Sequence, residues 1–280
     1  MSEIDFANPA QAALWNQSAG RSWAELSDLL DRLLASFVPL ILDEAGAIEG
    51  RRLLDVGCGA GALTLAAADR SGVGGSCLGV DISAPLIEAA RARASRDGAA
   101  NAQFVQADAQ THDFGPAGFD AIASRFGVMF FADPAAAFAN LCSAARQDAR
   151  LACVAWRGTG ENPFMTAAER AAAEIVELPK RTENGPGQFG FADPGRVRAI
   201  LAEASWMDIE IRPIDVACAM PERDLALYAA RMGPVGDLLP TLDPAARTEV
   251  ERRVEAAFRA FVEAGEARFA AACWMVTARA

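Results

Sequence analysis

The chain has 280 residues, and its 26 Lys and Arg against 37 Asp and Glu give a net charge of −11 and a pI near 4.7. That balance argues against a nucleic-acid partner, because affinity for a phosphate backbone comes mostly from clustered basic groups that release counterions, and no such cluster is visible. A hydrophobic content of 52% with 22% charged residues supports a compact core rather than disorder, in one large domain or one domain with an insertion.

Residues 1–5 carry Glu3 and Asp5 and no basic group ahead of an apolar stretch, so they do not read as a secretory signal. The apolar run from Leu33 to Leu42 stops at Asp43 and Glu44, short of the roughly 18 residues needed to span a bilayer. A soluble, cytoplasmic protein without a membrane span is the expectation. The six cysteines, at 58, 77, 142, 153, 218 and 273, are far apart, and His112 is the only histidine. Free, mostly buried thiols are expected, with no zinc or other metal site.

Ser22 with Glu25 three residues on reads as a capping box, opening one helix whose apolar positions run from Leu26 through Leu29, Leu30, Leu33, Leu34, Phe37, Val38 and Ile41 to Leu42. After Gly50, Leu53 to Val56 reads as a short buried strand, and the loop from Gly57 to Gly61 hands over to an Ala- and Leu-rich helix ending near Arg70. Cys77 to Val80, Gln103 to Gln106, Phe119 to Ala123 and Arg150 to Ala155 read as further strands. Ser83 caps the helix from about Pro85 to Arg96, and Asp133-Pro134 opens the helix before the fifth strand. The pattern is β-α four times, closed by a fifth strand, which implies a parallel sheet with helices on both faces.

In the second half, Asn162 to Leu178 looks helical, Pro179 to Gly190 is rich in turn residues, and Asp193-Pro194 caps a helix through Ala204. This stretch reads as an insertion able to cover a site. Asp208 to Val216 alternates imperfectly around Pro213, as an edge strand or a bulge does. Helices near Asp224 to Met232 and after Asp243-Pro244 lead to a last strand near Arg268 to Thr277. Gly233 to Pro240 carries turn residues, and no internal repeat is visible.

Chemistry concentrates in Asp55-Val56-Gly57-Cys58-Gly59-Ala60-Gly61, where a strand feeds a helix. Glycines there let the backbone turn tightly and approach a ligand. Asp81, at the end of the second strand, is placed to accept hydrogen bonds from ribose hydroxyls. On pattern alone two nucleoside cofactors compete, since Gly57-x-Gly59-x-x-Ala62 also satisfies the permissive dinucleotide fingerprint.

Leu53 to Gly61 resembles the first motif of class I S-adenosylmethionine-dependent methyltransferases, and Leu78-Gly79-Val80-Asp81-Ile82-Ser83 resembles the second. Gln106-Ala107-Asp108-Ala109 is similar to the third, and Phe119 to Phe131 is similar to the fourth strand and its loop. Cys273 to Thr277 looks like the last strand of the same fold. The arrangement is similar to the ubiquinone and menaquinone biosynthesis type. The resemblance implies a Rossmann-like, seven-stranded, mostly parallel α/β sheet with its last strand antiparallel. It divides the chain into an N-terminal helical cover (1–49), a cofactor-binding core (50–156), an inserted helical lid (157–205) and a completing part of the same domain (206–280).

The resemblance also implies S-adenosylmethionine as cofactor and S-adenosylhomocysteine as product. Gly57, Cys58, Gly59 and Gly61 would pass beside its methionine part and ribose, and Asp55 would approach its amino group. Asp81 would bind the ribose diol, with Ile82 against the adenine and Asp108 and Ala109 at the adenine edge. Arg125 and Phe126 would stand near the methionine end. Trp15 or Trp23 would shield the sulfonium, where a ring face favours a cation by about 0.5–2 kcal/mol, and Arg21 would pair with the carboxylate. Each has a plainer alternative: Asp55 ordering its loop, Phe126 and Trp23 in the core, Arg21 on the surface. No catalytic residue is evident. His112 is a weak candidate, and Tyr228, the only tyrosine, reads as core.

The chain lacks the Asp/Asn-Pro-Pro-Tyr/Phe run with which amino-methylating nucleic-acid enzymes hold a base, so a small-molecule acceptor is expected, covered in part by Phe164, Met165, Phe189 and Phe191. A nicotinamide-dependent oxidoreductase and a non-catalytic cofactor-binding protein are the competing readings.

Overall fold

The computed structural model describes residues 7–46, 49–182 and 184–280, so Glu3 and Asp5, read above against a secretory leader, lie outside the described residues. The chain opens with α1 (Pro9–Asn16), α2 (Ser18–Glu25), α3 (Ser27–Leu33) and α4 (Phe37–Ala45). The expected apolar stripe is buried, with Leu29, Leu30, Leu33, Phe37, Ile41 and Leu42 all in the core. It does not lie on one helix. Pro39 has no N–H to offer the carbonyl four residues earlier, and its ring clashes with that carbonyl, so a helix running through Ala35 must break; residues 34–36 form the turn. The capping box also fails to form. Ser22 lies inside α2, where its hydroxyl accepts from Arg231 Nε at 3.3 Å, and Glu25 pairs with the same guanidinium.

There follow β1 (Arg52–Val56), α5 (Ala62–Ser71), β2 (Ser76–Asp81), α6 (Ala84–Asp97), β3 (Ala102–Gln106), β4 (Phe119–Arg125), α7 (Pro134–Ala144) and β5 (Ala145–Trp156). Ser83 and Asp133 cap α6 and α7 as expected. The fourfold β-α alternation does not hold throughout, because β3 reaches β4 without a helix. In that link the Asp108 and Asp113 carboxylates accept the N–H groups of Gln110 and Gly115, local bonds that compete with helix formation.

The second half contains α8 (Ala167–Ala172), α9 (Pro194–Glu203), β6 (Met207–Pro221), α10 (Glu222–Arg231), α11 (Gly233–Leu238), α12 (Pro244–Phe258), β7 (Val262–Glu263) and β8 (Glu266–Arg279). The helix expected over Asn162 to Leu178 shrinks to α8. Asn162 is instead bound to the edge of β8, donating to the Ala272 carbonyl and accepting from the Ala272 N–H, both at 3.0 Å, and Pro163 follows it. The turn-rich stretch after Met232 is helical, with Pro234 in the first turn of α11.

The strand order is β3-β2-β1-β4-β5-β8-β6, with the two-residue β7 paired to β8 off this path. β1 to β5 are parallel, and β8 runs antiparallel to both β5 and β6, so the expected sheet with a reversed last strand is present. Pro213 sits on the edge strand β6, where a proline is tolerated. Near-continuous burial of β4 and of Leu151 to Trp156 in β5 marks strands covered on both faces. α4 and α5 pack together and against the central strands, while α7 and α9 pack together beside β5 and β6.

The loops after β1 and β4 touch. A Cβ on Gly57, whose φ is +67°, would stand 2.6 Å from the Gly127 Cα, and one on Gly127 would stand 2.5 Å from the Val56 carbonyl oxygen. Gly127→Ala is therefore expected to destabilise the fold by about 1–3 kcal/mol. Gly118→Ala, whose methyl would meet nothing closer than 3.8 Å, should change stability by less than about 1 kcal/mol. Urea unfolding of the two variants beside the parent makes the comparison.

Candidate active site

Five parallel strands end on one edge, and there the segments after β1 to β5 surround a cavity of about 690 Å³, within the roughly 300–1,000 Å³ usual for small-molecule sites. The crevice lies where β1 is flanked by β2 on one side and β4 on the other, the switch point at which open α/β sheets bind ligands. Helices α1 to α3, the segment after β5, and α10 and α11 close over it.

The loop after β1 is held by its neighbours. Gly57 N and Cys58 N donate to the Val80 carbonyl at 2.9 and 3.0 Å, and Gly59 N donates to Asp81 Oδ2 at 2.8 Å. Asp81 Oδ1 accepts from Ser83 N at 2.9 Å, which leaves each oxygen a further lone pair at the cavity wall. Asp55 is 1% exposed; its Oδ2 accepts from Thr64 Oγ1 at 2.6 Å, and its Oδ1 has no partner among the described residues. Burial pushes its carboxyl up to about 7, against the Thr64 hydrogen bond and the Arg125 charge, which pull it down.

Arg125, ending β4, donates to Asp31 Oδ1 at 2.7 Å, while its Nη1 is buried with no partner among the described residues. Asp31 Oδ2 accepts from Arg93 at 2.5 Å, so one carboxylate of α3 joins β4 to α6. Phe126 adopts a left-handed backbone, φ +66°, a conformation that costs a non-glycine residue about 1–3 kcal/mol and persists where the surroundings offset that cost. Its ring is clamped, stacked on Trp156 at 4.6 Å and edge-on to Phe37 at 5.0 Å.

The N-terminal helices reach the far strands. Asn8 N donates to Asp108 Oδ2 at 3.1 Å, Asn16 Nδ2 donates to the Ile82 carbonyl at 3.0 Å, and Ser83 Oγ donates to the Trp15 carbonyl at 2.6 Å. Trp15 meets Trp23 and Phe130 edge-to-face at 5.8 and 5.3 Å.

Residues 48–204, more than half of the chain, match the protein family described as a methyltransferase domain. The chain belongs to the class I S-adenosylmethionine-dependent methyltransferase family. It is 33% identical over 193 residues to the nocamycin O-methyltransferase of Saccharothrix syringae, a match covering 66% of this chain and 69% of that one. It is 30% identical over 146 residues to the aklanonic acid methyltransferase DauC of Streptomyces sp. strain C5, covering 51% of this chain and 66% of the relative. That match spans just under two thirds of DauC. The crystal structure of the YcgJ protein from Bacillus subtilis shares the fold, with a TM-score of 0.59 at 17% identity over 88% of this chain and 98% of that one.

In this methyltransferase fold, Asp55, Gly57, Cys58, Gly59, Asp81, Ile82, Asp108, Ala109, Arg125, Phe126, Trp15 and Trp23 all line the one cavity. Five expected residues do not. Phe191, expected over the acceptor, is buried against Phe138 with ring centroids 6.0 Å apart, and Phe189 lies under the Arg181 guanidinium. Gly61 turns away from it, for a Cβ there would meet the Phe104 ring at 2.9 Å. Arg21 is exposed on α2. His112 is half-buried with its ring edge-on to Phe114 at 4.8 Å, outside the wall.

Sequence reasoning passed over Asp31 and the α10–α11 wall. A carboxylate set among Leu29, Leu30, Leu33 and Leu34 was the available signal for the first, since a charge drawn into a core needs a cationic partner. No local signal marks the second: it reaches the cavity only because β6 and β8 carry it back to the edge where β5 ends.

The raised carboxyl of Asp55 sets a pH dependence in the ligand-free protein. Its folded value of about 7 exceeds the ordinary 3.8, so its relative stabilisation is full below about 3.8 and is lost as pH rises through about 7. Between pH 5 and 8 the parent should lose about 2–3 kcal/mol relative to Asp55→Asn, read from denaturant unfolding at each pH. A constant difference would contradict the shift.

Proposed function

We propose that this chain is a cytoplasmic S-adenosylmethionine-dependent methyltransferase that acts on a small organic acceptor inside the cavity, by direct displacement at the sulfonium methyl. The unpartnered Asp55 Oδ1 carries this reading. A buried, unsatisfied carboxylate oxygen in the cavity wall suits a cationic ammonium. A dinucleotide would instead bring its pyrophosphate to the loop after β1, beside the Asp55 carboxylate, where like charges repel. The nicotinamide-dependent alternative is disfavoured on that ground.

The remaining groups fit the same cofactor. Asp81 would take the ribose diol, Asp108 and Ala109 the adenine edge, and Ile82 the adenine face. The free Arg125 Nη1 would take the methionine carboxylate, with Phe126 and the Trp15–Trp23 pair enclosing that end. When bound, S-adenosylmethionine supplies a methyl group together with its own leaving group. The protein's part is then to hold two partners in line and exclude water. Helices within 1–49 would cover the cofactor side and 157–205 the acceptor side, with 50–156 and 206–280 completing one domain.

The likeness to the ubiquinone and menaquinone type rests on motifs of the cofactor half. It says little about the acceptor, which the other half must choose. The names of the nocamycin and aklanonic acid relatives support a small organic acceptor.

S-adenosylhomocysteine at a hundredfold excess over its Kd should stabilise the protein by about 2.7 kcal/mol, raising its melting temperature, while NAD(P) leaves it unchanged. Asp81→Ala should weaken S-adenosylhomocysteine binding by more than about tenfold, the loss of at least one charge-assisted hydrogen bond. Stabilisation by NAD(P) alone would overturn the proposal, and undiminished affinity in Asp81→Ala would overturn the ribose assignment. Methyl transfer into a metabolite extract separates an enzyme from a protein that only binds the cofactor.

A further inference from the structure

The cavity wall farthest from β2 is built from another set of residues. β8 stands four strands from β2 in the sheet order, roughly 19 Å at the usual spacing between strands. Trp156, the last residue of β5, lies opposite Cys273, so Phe269 on antiparallel β8 extends beyond the end of β5. There Phe269 stacks on Phe164 with ring centroids 3.9 Å apart, and Phe258 and Tyr228 pack on Phe164 at 4.9 and 5.8 Å. All four line the cavity.

The charged groups on this side have partners among the described residues. Glu169 pairs with Arg181, whose guanidinium lies over Phe189; Arg231 pairs with Glu25; and Asp237 accepts from Ser18. Tyr228 stands apart. It is 8% exposed, yet among the described residues its hydroxyl meets only the Met165 thioether, at 3.9 Å. Sulfur is a weak acceptor, and a buried tyrosine hydroxyl usually finds a better one. Burial, with a smaller push from the Cys218 thiol, holds the phenol above its ordinary value, so at neutral pH it is a donor.

We propose that Tyr228 is the polar anchor of the acceptor site, donating a hydrogen bond to an oxygen on a planar, aromatic, otherwise apolar molecule packed against Phe269, with Phe164 and Phe258 backing that wall. That the molecule is a methyl acceptor rests on the function proposed above; its binding does not. The aromatic wall supplies apolar area and ring edges, the paired charges offer nothing to an ionic substituent, and the under-satisfied hydroxyl selects one oxygen.

Equilibrium dialysis with 2-naphthol and naphthalene, with and without S-adenosylhomocysteine, tests this. The parent should hold 2-naphthol roughly five- to tenfold more tightly than naphthalene, the effect of one net hydrogen bond. Tyr228→Phe should bind the two alike while keeping its melting-temperature shift with S-adenosylhomocysteine. Met165→Leu, which leaves the hydroxyl in place and removes its thioether partner, should keep or widen the preference. A parent that binds neither probe or does not distinguish them, a Tyr228→Phe variant that still does, or a Met165→Leu variant that no longer does overturns the assignment. An intact 2-naphthol preference in a parent that S-adenosylhomocysteine does not stabilise would overturn the methyltransferase reading and leave Tyr228 as the anchor of a binding site.

Discussion

Parallel strands must all end on the same edge, and the two neighbours of β1 leave it in opposite directions. No connection can then fill the space above β1, and a crevice opens there as a matter of topology. Much of the rest answers that opening. The loops after β1 and β4 approach until two glycines touch, which brings the Asp55 and Arg125 ends of their strands to the same wall. The chain before the sheet and the chain after β5 fold over the gap from opposite sides.

Closing a crevice with helices draws charge out of water, and the protein settles each case differently. Asp31 is surrounded by two guanidinium groups, Asp108 and Asp81 accept backbone N–H groups, and Asp55 has one hydroxyl and an empty oxygen. The first three are satisfied by the fold itself. The fourth is not, and burial raises its carboxyl, as it also raises that of Asp81 despite the N–H groups it accepts. Among the described residues, Asp55 is left short of a partner in the cavity wall, and at the opposite wall the Tyr228 hydroxyl has only a thioether.

The central strands, the glycine loop and Asp81 were legible in the sequence because each is local: a short apolar run, a turn requirement and an acidic residue at a strand end. The capping residues Ser83, Asp133, Asp193 and Asp243 were legible for the same reason. Failures came where a distant partner overrode the local pattern. Ser22 and Glu25 spell a capping box, but Arg231, some two hundred residues later, takes both side chains. Asn162 sits in a helical pattern, but the free edge of β8 takes its amide. Tyr228 read as core and is indeed buried, and only the folded chain shows that its buried face is also the wall of a cavity.

The bond from Asn8 to Asp108 has a kinetic consequence. The carboxylate at the end of β3 already grips the start of α1 through one oxygen, so a ligand reading that edge would share its recognition group with the cover that encloses it. Departure of such a ligand would then be coupled to lifting of the first helix. Its residence time would follow the opening rate of the N-terminal segment, and an enzyme built this way would take its turnover rhythm from the chain's beginning as much as from the chemistry beneath it.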